Sequence, residues 1–196
     1  MKPSKVLELA AKEVGYTEHP DNITKFSAEF GVKVAQWCGF FVDYIIKHAG
    51  GHEPKSHYTP TGAKAYQEAK RWMTVGSPKA GDLIYFDFPH DGVDRISHIG
   101  ICVGALGDGK ILCIEGNTTP TDEGDQRNGG CVAVKARSRS VIVGWGRPHY
   151  EADPDVGIVV ADIVKKWRLD QFPKPYKGDL PKAAAPAKKA APKGKK

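Results

Sequence analysis

The first 70 residues carry apolar side chains three and four positions apart, which is the spacing of one face of an α-helix. Glycine or short polar stretches interrupt this pattern where a helix would end. The pattern therefore predicts four helices in the first third of the chain, at about 6–14, 22–30, 38–49 and 61–70.

After Pro78 the pattern changes to short apolar runs and alternation, which are typical of β-strands. A turn at 107–109 would join the second and third of these strands into a hairpin. Helices followed by strands predict an α+β domain with N-terminal helices packed on an antiparallel sheet. We place the strands at about 82–86, 98–103, 110–114, 131–136 and 141–146.

The catalytic or binding domain is expected to end near Tyr150, so that it covers residues 1–150. Residues 151–176 are interpreted as a linker or a short packing helix. Residues 177–196 are rich in Lys, Ala and Pro, and large apolar residues are absent from Pro181 onward. Such a composition cannot bury enough surface to fold, so we expect a disordered tail.

Charge is distributed unevenly along the chain. The formal net charge is +6, and residues 177–196 hold seven Lys and one Asp, so the rest of the chain is neutral. A neutral body argues against specific nucleic-acid binding. The sequence has no apolar run of membrane-spanning length. Glu8 and Lys12 interrupt any secretory signal, so we expect synthesis in a cytoplasm without a signal peptide.

Four cysteines raise the question of a nucleophilic thiol, because their spacing matches no zinc-binding pattern. Cys38 begins the third predicted helix, where free backbone N–H groups and the helix dipole favour a thiolate. The same N–H groups could hold an oxyanion. The alternative is a small buried apolar side chain, which is how most free cysteines behave.

The predicted hairpin brings a base and its partners to one face of the sheet. Side chains alternate along a strand, so a turn at 107–108 sets His98 opposite Asn117 and Glu115 opposite Gly100. Glu115 is then diagonal to His98, across a position where glycine leaves room. The same register places Cys102 opposite Cys113, close enough for a disulfide, although a reducing compartment favours free thiols.

Five short stretches of this sequence, in this order, resemble the CHAP family, the cysteine- and histidine-dependent amidohydrolases/peptidases that are common in phage endolysins. The resemblance as a whole runs from about Lys5 to Tyr150. The resemblance implies a papain-like fold of the NlpC/CHAP type. The matching stretches are 13–22, 37–42, 78–86, 98–101 and 115–118.

The resemblance also implies roles for particular residues. Cys38 would be the nucleophile, His98 the base, Glu115 the group that orients the base, and Asn117 an assisting residue. Gln36 is a candidate for the oxyanion hole. From its position beside the nucleophile, Trp37 could be a platform for a sugar or a peptide stem, although a core position is as compatible with tryptophan. We expect neither a metal ion nor a cofactor.

The implied activity is hydrolysis of an amide bond in peptidoglycan. The enzyme would be either a muramoyl-L-alanine amidase or an endopeptidase that cuts a peptide bond in the stem or the cross-bridge. Without a signal peptide, such a protein fits phage-mediated host lysis, acting on the cell wall after release. We expect a monomer whose basic tail binds anionic cell-envelope polymers. The alternatives are an NlpC-type endopeptidase and a non-catalytic wall-binding protein that retains the fold.

Overall fold

A computed structural model of the protein describes residues 1–89, 92 and 95–178. Five α-helices are found in this part of the chain: α1 (Pro3–Lys12), α2 (Lys25–Ala28), α3 (Cys38–His48), α4 (Thr59–Glu68) and α5 (Val156–Arg168). Two short 3₁₀ helices cover Pro20–Asn22 and Arg139–Val141. No helix within the described ranges is long and apolar enough to cross a membrane.

Eight strands form one sheet in the order β2-β7-β3-β4-β5-β6-β1-β8. Every neighbouring pair is antiparallel except β1 and β8, which are parallel. The α+β fold class is therefore confirmed. The strands are β1 (Tyr16–Thr17), β2 (Trp72–Met73), β3 (Leu83–Phe86), β4 (His98–Ala105), β5 (Ile111–Thr118), β6 (Cys131–Arg137), β7 (Ile142–Gly146) and β8 (Tyr176–Lys177).

The main core lies between the sheet and helices α1, α3 and α5, all of which contact β4. Alternation along the central strands sends Ile99 and Ile101 to this side. Residues of opposite parity, including Cys102 and Cys113, form a second and smaller apolar cluster. The two clusters bury both faces of the central strands, which explains why these strands read as nearly continuous apolar runs.

An aromatic cluster fixes the position of α3 on the sheet. The Phe26 ring lies 5.3 Å from the rings of both Trp37 and Phe41. Gly116 of β5 allows this approach, because a Cβ there would lie 2.6 Å from the Cβ of Phe41. The first turn of α3 is thereby packed closely against the end of β5.

The second predicted helix is shorter than expected. The sequence pattern placed a helix at about 22–30, whereas α2 spans Lys25–Ala28 and its cap is Thr24. Asp21 and Asn22 have positive φ values of 65° and 60°. That left-handed backbone cannot continue into a helix, so a separate 3₁₀ turn forms first.

The chain after Tyr150 packs on the domain. Helix α5 contacts α1 and β4, and Ile163 is 2% exposed. The division into 1–150, 151–176 and 177–196 stays a prediction. Of the predicted tail, only Lys177 and Gly178 are described, and both hold β1: Lys177 pairs with Thr17, and Gly178 N–H donates to Thr17 O at 2.9 Å. The remaining tail lies outside the described residues.

A matched pair of glycine substitutions tests the packing of α3. A Cβ on Gly39 would lie 1.9 Å from the backbone oxygen of Ser56, whereas a Cβ on Gly157 in α5 meets nothing within 4 Å. We expect Gly39→Ala to lower the free energy of unfolding by about 1–3 kcal/mol because of this clash. Gly157→Ala should raise it by up to about 1 kcal/mol. Urea denaturation measures both, and equal effects would contradict the described packing.

Candidate active site

Cys38 is the first residue of α3, as the sequence predicted. The residue before it, Trp37, has non-helical backbone angles and occupies the N-cap position, where its side chain makes no capping hydrogen bond. The N–H groups of the first turn have no acceptor within a helix, so they are available to a negative charge beside Cys38. Cys38 as a whole is 6% exposed, so the nucleophile candidate is largely buried.

His98 is the first residue of β4 and has no exposed surface. Its Nε2 lies 3.0 Å from Oε2 of Glu115. Phe86 and Phe88 flank the imidazole, with ring centroids 5.8 Å and 5.7 Å away. The other ring nitrogen, Nδ1, is buried and has no hydrogen-bond partner among the described residues. It is therefore the nitrogen that is left to exchange a proton with a neighbouring thiol.

The imidazole is electrostatically coupled to both predicted partners. Burial alone would lower the pKa of His98, but electrostatic interactions with Cys38 and Glu115 outweigh it and raise the pKa to about 9. A histidine with this pKa carries a proton at neutral pH. The coupling therefore connects the thiol to the carboxylate through one ring.

Glu115 reaches His98 across the glycine that the hairpin register predicted. Gly100 pairs with Glu115 and Cys102 pairs with Cys113. A Cβ on Gly100 would lie 2.6 Å from Cγ of Glu115, so only glycine leaves this space free. This part of the predicted register is confirmed.

Arg137, at the end of β6, completes the site, although the sequence analysis did not identify it. Its Nε donates to Oε1 of Glu115 at 2.8 Å, and its Nη2 donates to Oε2 at 2.5 Å. Burial alone would raise the pKa of Glu115, but the charge and hydrogen bonds of Arg137, together with His98, lower it to about 2. Glu115 is thus an ionised carboxylate without solvent contact.

The signal for Arg137 in the sequence was weak. The predicted strand ended at residue 136, one position before it. In the sheet, Arg137 pairs with Ile111, four positions along β5 from Glu115. Side chains on neighbouring strands are expected to contact each other at directly opposite and diagonal positions. A contact between side chains four positions apart along the strand does not follow from that rule.

The predicted position of Asn117 opposite His98 is wrong. The ladder between β4 and β5 starts at the Gly100–Glu115 pair, and Asn117 has a positive φ of 59° within a bulge against β6. Such a bulge interrupts the alternation of side chains. The Asn117 amide instead donates to Asn128 Oδ1 at 3.1 Å, and its Oδ1 accepts from Gly130 N–H at 3.2 Å.

The two predicted substrate-binding residues lie in different environments. Trp37 has no exposed surface, and its Nε1 donates to Glu18 Oε2 at 2.5 Å. Burial in the aromatic cluster favours the core position, which is one of the two roles that the sequence left open for Trp37. Gln36 is exposed beside the start of α3, and its role in an oxyanion hole stays a prediction.

The other three cysteines have the properties of buried structural thiols. Burial raises the pKa of Cys102 and of Cys113, and it raises the pKa of Cys131 to about 11. All four cysteines are free, including the directly opposed Cys102 and Cys113. Only Cys38 stands at a helix start beside a charged histidine. Among the described residues, no group of three or more His, Cys, Asp or Glu could hold a metal ion.

Comparison with known proteins gives one similar solved structure and a match to one family model. The crystal structure of a wild-type endolysin, LysIME-EF1, aligns with a TM-score of 0.49 and 15% sequence identity, covering 91% of this chain and 92% of that one. No curated protein gives a significant match. The model of the CHAP domain matches residues 29–117, a segment that contains Cys38, His98 and Glu115. Residues 29–117 of the chain are therefore similar to a CHAP domain.

Proposed function

We propose that the protein hydrolyses an amide bond in peptidoglycan, with the Cys38 thiolate as nucleophile, as part of phage-mediated host lysis. The observation that carries this proposal is the position of His98. Its Nε2 binds an ionised, buried carboxylate, and its second nitrogen is left for the thiol. A base fixed on one side by a carboxylate and coupled on the other to a nucleophile is the arrangement that thiol hydrolases require.

The mechanism begins with attack of the Cys38 thiolate on the carbonyl carbon of the amide. The N–H groups at the start of α3 stabilise the negative charge that develops on the carbonyl oxygen. As the C–N bond breaks, the His98 imidazolium gives its proton to the leaving amine, and a thioester remains. His98 then accepts a proton from water, whose oxygen attacks the thioester carbon; the C–S bond breaks, and the carboxylic acid leaves with the Cys38 thiolate and the His98 imidazolium restored.

Two types of bond fit this chemistry: the muramoyl-L-alanine amide, and a peptide bond in the stem or cross-bridge. Both are amides of the peptide part of the wall. Mass spectrometry of digested peptidoglycan distinguishes them, because each cleavage creates a different new N-terminus. A free lactyl carboxylate with a new N-terminal alanine identifies an amidase, whereas any other new N-terminus identifies an endopeptidase.

Two alternatives remain from the sequence. An NlpC-type endopeptidase would use a third histidine where this chain has Glu115, which favours the CHAP-type reaction. A non-catalytic wall-binding protein would have no need of a reactive thiol. The charged His98 beside Cys38 supports catalysis over simple binding.

Substitution of the nucleophile is the first test. We expect Cys38→Ser to reduce lysis of peptidoglycan to background, because a serine hydroxyl in this site is not ionised as a thiol is. Cys131→Ser is the matched control and should retain activity, since Cys131 is a buried thiol on β6. Turbidity of a cell-wall suspension measures both rates. Full lysis by the Cys38 variant would refute the assignment, and iodoacetamide should modify Cys38 before the other thiols.

The histidine and carboxylate should contribute unequally. We expect His98→Ala to lower kcat by about 100-fold or more, because the base and acid are lost. Glu115→Gln should cost less, because an amide oxygen can still accept from the imidazole while the negative charge is removed. Steady-state kinetics on purified cell walls give both values. Near wild-type rates in both variants would contradict the proposed roles.

The basic tail is proposed to hold the enzyme at anionic envelope polymers. A chain ending at Gly178 keeps β8 and removes six Lys and one Asp. At low salt we expect it to bind and lyse whole cells more weakly than the full chain, with equal turnover of soluble muropeptides. High salt should abolish the difference, since the Debye length is about 8 Å at physiological ionic strength. Equal lysis of cells at low salt would exclude the tether.

A further inference from the structure

We propose that Arg137 is a positioning residue for catalysis, holding the Glu115 carboxylate in one orientation and so fixing the imidazole of His98. The inference rests on the proposed function, because it assigns Arg137 to the same reaction. It extends the site by one residue, on a strand and in a part of the chain that the family match at 29–117 does not reach.

The guanidinium binds both carboxylate oxygens at once. Nε contacts Oε1 at 2.8 Å and Nη2 contacts Oε2 at 2.5 Å. This two-point contact fixes the plane of the carboxylate, which a single hydrogen bond would leave free to rotate. Because Oε2 also binds His98 Nε2 at 3.0 Å, the orientation of the carboxylate determines that of the imidazole.

Other contacts hold Arg137 in place from its far side. Nη1 donates to Gln126 Oε1 at 3.0 Å, and Nη2 donates to Thr118 Oγ1 at 3.1 Å. The guanidinium carbon lies 5.0 Å from the centre of the Phe88 ring. Its side chain is 8% exposed, so the arginine has few alternative conformations.

Gln126 connects this arginine to the loop between β5 and β6. Its Nε2 donates to Thr119 Oγ1 at 2.7 Å and to the backbone oxygen of Glu123 at 3.1 Å. The amide thus closes the loop while its oxygen binds Arg137. The conformation of residues 119–126 is therefore coupled to the orientation of Glu115 through one side chain.

The charge of Arg137 has a second effect, which distinguishes positioning from simple packing. A buried carboxylate without a cation binds a proton readily, and a protonated carboxyl can no longer stabilise an imidazolium. With Arg137 present, the pKa of Glu115 is about 2. Without it, Glu115 should become protonated at a higher pH, so that activity is lost earlier as pH falls. If Arg137 were purely structural, its loss would lower activity without moving the acidic limb of the pH profile.

The test compares three full-length variants with the wild type. Arg137→Gln removes both the charge and the two-point contact of the guanidinium with the carboxylate. Arg137→Lys keeps the charge, but a single ammonium group cannot bind two oxygens in one plane. Arg139→Gln is the matched control. Arg139 is exposed two positions further on and binds the backbone oxygen of Gly76 and the hydroxyl of Ser77, each at 2.9 Å.

Two readouts are measured after thermal unfolding has shown that each variant is folded. The first is the pH dependence of kcat/KM on purified cell walls. The second is the titration of the Glu115 carboxyl carbon by NMR in protein labelled with ¹³C-glutamate, assigned with Glu115→Gln, and it requires no activity. We expect Arg137→Gln to move the acidic limb and the carboxyl titration upward by one pH unit or more. Arg137→Lys should keep both near wild type while kcat falls several-fold with little change in KM.

Wild-type values of the acidic limb and of the carboxyl titration in Arg137→Gln would overturn the proposal. If that variant does not fold, a wild-type kcat in Arg137→Lys would overturn it instead, because the two-point contact with Glu115 would then be unnecessary for catalysis. A loss of equal size in Arg139→Gln would also overturn it. If the wild-type protein does not digest cell walls, the proposed function fails, whereas the carboxyl titration still tests the hold of Arg137 on Glu115.

Discussion

A carboxylate that has lost all contact with water stays charged only where donors replace its hydration shell. Glu115 is such a group, and much of the surrounding structure provides for it. Arg137 and His98 supply its hydrogen bonds, and Gly100 supplies the space through which its side chain passes. Removing Arg137 would leave a buried carboxylate without its cation, and a side chain at position 100 would take the space that Glu115 occupies. The candidate site and the stability of the central strands therefore depend on the same ion pair.

The thiol reaches this network because α3 is held at a defined position above the sheet. Aromatic packing around Phe26 and the close approach at Gly116 determine where the helix begins. The proposed nucleophile is thus on a helix and its proposed base on a strand, so neither depends on a loop. Rigid elements of this kind keep reacting groups at a fixed separation, which catalysis by orientation requires.

Residues with strong local patterns were predicted well, and those that depend on long-range geometry were not. The start of α3 and the pairing of Gly100 with Glu115 followed from apolar spacing and one turn. Asn117 was misplaced because its positive φ interrupts the alternation on which the register argument relied. Arg137 was missed because its side chain extends along the sheet beyond the adjacent positions. The two-residue strands β1, β2 and β8 carry too few residues for any period to show.

The first and last described segments of the chain lie against each other. Helix α1 packs on α5, Ser4 N–H donates to Asp153 Oδ2 at 2.7 Å, and Tyr176 N–H donates to Gly15 O at 2.7 Å. During synthesis α1 leaves the ribosome long before these partners exist, and its apolar face then has no surface to cover it. Completion of the core must wait for almost the whole polypeptide, which raises the contact order and slows folding relative to a domain closed by local pairs.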